Sequence, residues 1–201
     1  MSIAQLISPQ QLAERQQQPG LVILDCRFAL EDTAYGQRSY ANGHIAGACF
    51  ADLERDLSGP VSKGKTGRHP LPDAQALVER LQYWGINADS DVVLYDDGPG
   101  AFAARAWWLL AWLGKRDGVF ILDGGLKAWH AAGLPLSLDA PAKKPGHFTG
   151  QPDDGLVLNA DQLQARLGDP EMTLIDARAD ARFRGEVEPI DPVAGHIPGA
   201  Q

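Results

Sequence analysis

The 201-residue chain has few cysteines, a shortage of basic residues and no long apolar run. Its two cysteines, Cys26 and Cys49, are too few for a disulfide framework, so we expect a reducing cytoplasmic location. Lys and Arg number 18 against 26 Asp and Glu, and the resulting net charge of −8 argues against a nucleic-acid partner. No stretch approaches the roughly 20 apolar residues of a membrane span, so no membrane partner is expected.

Short apolar runs alternate with helical patterns through the first 135 residues. Strands are predicted at 21–25, 92–95 and 119–122. Helices are predicted to begin at Pro9 after the cap Ser8 and after the cap Asp73, and to occupy 103–114 and 125–133. Strands that are apolar throughout and alternate with helices predict an α/β fold, in which a central parallel sheet carries helices on both faces.

A change of composition divides the chain. Residues 137–155 are rich in proline, glycine and charge and contain few apolar residues. This composition predicts a linker between a first domain, residues 1–136, and the beginning of a second, residues 156–201.

Several features of the first domain return after the linker at a nearly constant spacing. The predicted helix caps Ser8 and Asn159 are 151 residues apart, as are Asp25 and Asp176 of two Asp-x-Arg sequences. The phrase Gly-His-Ile-x-Gly-Ala, at 43–48 and 195–200, returns after 152 residues. The spacing predicts a tandem duplication of an α/β unit, of which the second copy is incomplete within these residues.

The repeated polar residues are more typical of structure than of chemistry. Asp25 with Arg27, and Asp176 with Arg178, are each predicted to form an ion pair that holds a loop after a strand. The histidines of the two Gly-His-Ile phrases, His44 and His196, are predicted to be buried turn residues bonded to the backbone.

Together, "LDCR…GHIAGA", "VVLYDDG…AARAWW", "ILDGGLKAW" and "IDARADARFRGEVEP…GHIPGA" resemble the two-domain rhodanese family of sulfurtransferases over essentially the whole chain. The resemblance implies an enzyme that moves sulfane sulfur from a small anionic donor, thiosulfate or 3-mercaptopyruvate, to cyanide or a thiol through a cysteine persulfide. No cofactor and no metal are expected. The family's reactive cysteine lies in the second domain, between the fourth strand and a helix, where loop N–H groups stabilise a thiolate.

The resemblance assigns roles to particular residues. Asp96 occupies the position of the reactive cysteine in the first copy, which implies a non-catalytic domain because a carboxylate cannot accept and release sulfur. The corresponding loop of the second copy would lie beyond Gln201, so we expect no catalytic residue, and no activity, in this chain alone. Arg182 resembles an arginine that binds the anionic substrate through its planar fork. Ile190 and Asp191 stand where mercaptopyruvate-type members carry a second arginine, which favours thiosulfate.

Other interpretations remain. A non-catalytic rhodanese-like module that binds a partner or a small anion would have the same features. Residues 59–66, "GPVSKGKT", match a phosphate-binding loop, but no strand precedes them and prolines follow them. Cys49 and Arg55 have the Cys-x5-Arg spacing of cysteine phosphatases, but the intervening Asp52 and Glu54 would repel phosphate.

Overall fold

A computed structural model describes residues 5–142 and 144–201. The chain forms two compact units, one that extends to Asp153 and one that comprises Asp154–Gln201. In chain order the first unit contains β1 (Gln5–Ile7), α1 (Pro9–Arg15), β2 (Leu21–Asp25), α2 (Tyr35–Ala41), β3 (Ala48–Phe50), α3 (Ala74–Tyr83), β4 (Asp91–Tyr95), α4 (Ala101–Trp112), β5 (Val119–Leu122) and α5 (Gly125–Ala131). The second contains a 3-10 turn (Asp154–Leu156), α6 (Ala160–Ala165) and α7 (Asp180–Phe183).

The five strands form one sheet in the order β1-β5-β4-β2-β3, with every neighbouring pair parallel and helices on both faces. The three predicted strands are β2, β4 and β5, so the prediction of a single parallel sheet is confirmed. The core packs around Tyr95 and Trp129 and also includes Ile7, Leu12, Ile23, Ile45, Ala48, Val93, Leu122 and Leu126.

The predicted helix caps form as expected. The Ser8 hydroxyl accepts the N–H of Gln11, whose side chain accepts the N–H of Ser8 in return, and this capping box starts α1. Asp73 accepts the N–H of Ala76 at the start of α3. Helix α4 begins at Ala101, two residues before the predicted start, because Gly100 takes the left-handed conformation (φ 88°) that ends the preceding loop.

Residues 137–142 and 144–153, predicted as part of the linker, belong to the first compact unit and form hydrogen bonds with the rest of it. Ser137 and His44 exchange backbone hydrogen bonds of 3.0 and 2.8 Å. Phe148 donates its N–H to the Ile86 carbonyl at 3.1 Å and buries its ring. The division between the compact units therefore follows Asp153 and does not coincide with the change of composition at residue 137.

The second unit contains helices but no strand. Asn159 starts α6 with a capping box, as its position predicts. The expectation of a strand ending near Asp176 is wrong, because the backbone there pairs with a single residue: Gln201 donates to Leu174 and accepts from Asp176, both at 3.0 Å. A ladder needs several successive paired residues. No helix in the described part of the chain is long and apolar enough to cross a membrane.

Candidate functional site

The loop between β4 and α4 encloses a buried carboxylate. Asp96 directly follows the strand and is 1% exposed. One of its oxygens accepts the N–H groups of Gly98 and Gly100 at 3.0 and 3.1 Å. The other accepts those of Phe102 and Ala103, also at 3.0 and 3.1 Å. The loop and the first turn of α4 thus direct four N–H groups at one negative charge, which a helix N-terminus also favours.

A small cavity of about 230 Å³ adjoins this loop. Its lining includes Asp96, Gly98 and Gly100 on one side, and Asp123 and Gly124 after β5 on the other. The loop contains no thiol, and the four N–H groups that could stabilise a bound anion already hold a side chain of the chain itself. In this unit the arrangement therefore stabilises a fixed carboxylate.

A buried ion pair fixes the Gly-His-Ile turn of the first unit. Arg27 donates from Nε to Asp25 Oδ1 at 2.9 Å, and from Nη2 to Asp25 Oδ2 at 2.5 Å and to the Gly43 carbonyl at 2.8 Å. The Tyr95 hydroxyl donates to Asp25 at 2.7 Å. Burial, followed by the charge of Asp25, raises the pKa of Tyr95 well above its usual value. The predicted role of Asp25 and Arg27 in holding a loop is confirmed.

The same contacts recur in the second unit. Arg178 donates from Nη2 to Asp176 at 2.6 Å and to the Gly195 carbonyl at 2.5 Å. The hydrogen bond from Arg178 lowers the pKa of Asp176 to about 2. An Asp-x-Arg pair thus holds the backbone of a Gly-His-Ile turn in both units.

The two histidines differ in burial. His44 is 1% exposed, stacks on Tyr40 with ring centroids 3.9 Å apart, and bonds the carbonyls of Tyr40 and Asp139. Its predicted structural role is confirmed. His196 stacks on Phe183 at the same 3.9 Å and bonds the Phe183 carbonyl, but it is exposed, so the prediction of burial is wrong for this residue.

Arg182 has its guanidinium fork occupied by two carboxylates of its own unit. It bonds Glu188 through Nε at 3.1 Å and Nη2 at 2.7 Å, and Asp191 through Nη2 at 2.8 Å. Glu188 also accepts the N–H groups of Ile190 and Asp191. The bond from Arg182 is the largest cause that lowers the pKa of Glu188 to about 2. Sequence reasoning missed Glu188, although its position six residues after Arg182 in an acidic segment was a signal.

Both cysteines are buried, and neither lies in the loop between β4 and α4. Cys26 follows β2 and Cys49 lies within β3, and their exposed fractions are 1% and 2%. Burial, followed by the charges of Asp25 and Asp96, raises the pKa of Cys26 well above its usual value. Since the thiolate is the nucleophile, Cys26 is a poor candidate for sulfur chemistry. The position of Cys49 inside a strand also removes the phosphatase interpretation, which needs a strand–helix loop.

Two other sites can be assessed. Residues 59–66 follow a turn and not a strand, and the next helix begins only at Ala74, so they lack the setting of a phosphate-binding loop. Among the described residues, no group of three or more His, Cys, Asp or Glu side chains could hold a metal ion.

The sequence has clear relatives. The profile of the Rhodanese-like domain matches residues 8–132. A Pseudomonas aeruginosa protein named "Probable 3-mercaptopyruvate sulfurtransferase" is 68% identical over 201 residues, which is all of this chain and 71% of the relative. The thiosulfate sulfurtransferase of Azotobacter vinelandii is 34% identical, over 99% of this chain and 68% of the relative. The crystal structure of SseA from Escherichia coli, a 3-mercaptopyruvate sulfurtransferase structure, superposes with a TM-score of 0.83 at 32% identity, covering 98% of this chain and 74% of that one.

The fold and these matches define a rhodanese-type α/β protein. The chain belongs to the rhodanese family, and its relatives are named as thiosulfate and 3-mercaptopyruvate sulfurtransferases. The names of those relatives support sulfur transfer as its class of function.

Proposed function

We propose that this chain is part of a sulfurtransferase that uses a cysteine persulfide, with 3-mercaptopyruvate as donor and cyanide or a thiol as acceptor. The nucleophilic cysteine is proposed to lie outside these 201 residues. Residues 1–136 would be a non-catalytic rhodanese-like domain, 137–155 a linker of which the greater part packs on that domain, and 156–201 the beginning of a duplicated, catalytic domain. The absence of a disulfide between Cys26 and Cys49, among the residues that the structure describes, supports a cytoplasmic location.

The observation that carries the proposal is the set of four N–H groups around Asp96. A loop of this shape, with a cysteine in place of the aspartate, would stabilise a thiolate and the anionic sulfur that it accepts. In this unit a carboxylate takes that place, and the two cysteines of the chain are buried elsewhere. These features support a division of labour in which the nucleophile belongs to the other copy.

The proposed reaction has two steps. The thiolate attacks the sulfur of 3-mercaptopyruvate, an S–S bond forms and the C–S bond breaks. The carbon keeps the electron pair, takes up a proton and leaves as pyruvate. Cyanide then takes the outer sulfur to form thiocyanate and releases the thiolate, whereas a thiol acceptor becomes a persulfide. With thiosulfate as donor, the first step would break its S–S bond and release sulfite.

The choice of donor rests on two opposing observations. Residues 190–191 lack the second arginine of mercaptopyruvate-type members, which favours thiosulfate, whereas the relative at 68% identity is named for 3-mercaptopyruvate. We propose 3-mercaptopyruvate because so high an identity extends along the whole chain. Arg182 would bind the donor carboxylate, which would replace Asp191 on Nη2 while Glu188 continues to hold the Nε side.

Thiocyanate production tests the proposal. The 201-residue chain is assayed alone and joined to the part of the P. aeruginosa relative that it does not span, with either donor. The chain alone should form no thiocyanate above background, and the joined chain should use 3-mercaptopyruvate faster than thiosulfate. Arg182→Ala should raise KM for the donor about tenfold, the effect of losing one charge-assisted hydrogen bond, whereas Arg184→Ala should not.

Two results would count against the proposal. Thiocyanate from the chain alone, lost on Cys26→Ser or Cys49→Ser, would move the nucleophile into these residues. A joined chain that folds but transfers no sulfur, while the intact P. aeruginosa protein does, would favour a non-catalytic module that binds a partner or small anion. The engagement of the loop by Asp96 supports that second function for the first unit.

A further inference from the structure

A second cavity, of about 520 Å³, lies in the first unit and shares no lining residue with the one beside Asp96. Its volume is in the range of small-molecule sites. The walls are mainly aromatic rings and prolines contributed by Tyr40, Phe50, Tyr83, Trp84, Pro141 and Pro145. Between them stand two arginines and one aspartate, so the cavity combines flat apolar surfaces with charge.

Arg55 and Arg80 come from different elements and share the carboxylate of Asp56. The two Nε atoms lie 3.4 and 3.2 Å from the same oxygen, Asp56 Oδ1. The other oxygen accepts the N–H of Asp52 at 2.9 Å. Two guanidiniums facing one carboxylate leave an excess positive charge at the cavity, in a chain whose net charge is −8.

The outer nitrogens of both guanidiniums have no hydrogen-bond partner among the residues that the structure describes. The contacts of Arg55 and Arg80 with Asp56 use Nε, and Arg80 also lies over the Tyr83 ring, 5.4 Å from its centroid. The side chains are 59% and 36% exposed, so a ligand in the cavity can reach them. Unpaired Nη groups in a planar fork suit a carboxylate or phosphate.

We propose that this cavity binds a small aromatic oxyanion. The flat ring of the ligand packs against the aromatic walls, where ring contacts add to the burial of apolar area. Its carboxylate or phosphate accepts from the Nη groups of Arg55 and Arg80, while Asp56 holds the two guanidiniums side by side. The site uses no residue of the sulfur-transfer proposal, so each can fail without the other.

Phenyl phosphate is a suitable probe, and isothermal titration calorimetry of the 201-residue chain measures its binding. We expect Kd below about 1 mM, and binding of inorganic phosphate at least about tenfold weaker because it lacks the ring. Arg55→Gln and Arg80→Gln should each weaken phenyl phosphate about tenfold or more, as expected for a lost charge-assisted hydrogen bond. Arg116→Gln is the matched control, because Arg116 pairs with Asp153 and lines a different cavity.

Arg55→Lys and Arg80→Lys, which keep the charge but not the fork, should weaken binding less than the glutamines do, and circular dichroism checks that each variant is folded. The proposal is overturned if the wild-type chain shows no binding up to about 10 mM phenyl phosphate. It is also overturned if inorganic phosphate binds equally well, or if Arg116→Gln weakens binding as much as the two cavity variants.

Discussion

The side chain at position 96 determines what the N–H groups of the loop between β4 and α4 can bind. The carboxylate of Asp96 bonds four backbone N–H groups that would otherwise need water or an anion. In the catalytic copy that we propose, the same loop geometry would suit a reactive thiolate. In this unit it binds a carboxylate and fixes the loop to the start of α4.

Asp96→Asn should therefore destabilise the first unit by about 2 kcal/mol, because an amide nitrogen would face N–H donors and the charge would be lost. Urea unfolding followed by tryptophan fluorescence measures the change, since all five tryptophans precede residue 153. Asp123→Asn, an exposed residue after the adjacent strand, is the control and should change little. Equal effects of the two substitutions would refute the role given to the four bonds.

The ionisation of Glu188 makes the stability of the second unit depend on pH. Its folded pKa of about 2 lies below the usual value, so the ionised form stabilises the fold above about pH 4.3. That contribution is lost as the pH falls toward 2. The Glu188 carboxyl, followed by carbon-13 NMR, should titrate near 2, and in Arg182→Gln its midpoint should rise toward the usual value. Arg184→Gln should leave it unchanged, and a wild-type midpoint near 4.3 would contradict the pairing.

At the scale of elements, α2 is placed by a close approach to the loop after β2. A Cβ added at Gly36 would lie 2.0 Å from the Arg27 carbonyl oxygen and 3.0 Å from the Phe50 ring. Gly36→Ala should cost about 2 kcal/mol or more of unfolding free energy, because backbone must move. Gly67→Ala has open space around it and should stay within about 0.5 kcal/mol. Similar urea midpoints for the Gly36→Ala and Gly67→Ala variants would show that α2 can move to accommodate the added methyl group.

The elements that sequence reasoning found are those with strong local signals. Strands β2, β4 and β5 are runs of four or five mostly apolar residues, and α1 and α3 have capping side chains. Strands β1 and β3 were missed because a run of three residues is too short to be recognised as a strand. Helix α2 was missed because no side chain caps its start. These elements form because the sheet and the core supply partners from distant parts of the chain.

In the candidate site, too, sequence reasoning could identify individual residues but not their contacts. Asp96 and Arg182 could be identified from motifs, because a motif is a local pattern. Their surroundings could not, since the bonds of Asp96 depend on the turn at Gly100 and those of Arg182 on a chain that folds back to Glu188 and Asp191. These partners lie only two to nine residues away, but each contact depends on how the local chain turns, which the residue pattern alone does not specify.

At the scale of the whole molecule, the two units are held by different forces. The first has an apolar core around a buried sheet. In the second, no residue from 154 to 201 is buried, and Ile175 is 74% exposed. Its order rests largely on helix caps and on the ion pairs of Arg178 and Arg182. Added salt screens ion pairs, although it screens partly buried pairs such as these less than exposed ones, so the second unit should be the more sensitive of the two to salt.

The sheet order also governs when the first unit can fold. Gln5 of β1 pairs with Phe120 of β5, about 115 residues later in the chain. At ~5–20 residues per second, the ribosome completes β5 on the order of ten seconds after it has made β1. Contacts so distant in sequence also slow the search for the native state, since a long loop must close before they form. Strand β1 is therefore among the last strands to join the sheet during synthesis on the ribosome. Until β1 pairs with β5, its apolar side chains can bind chaperones.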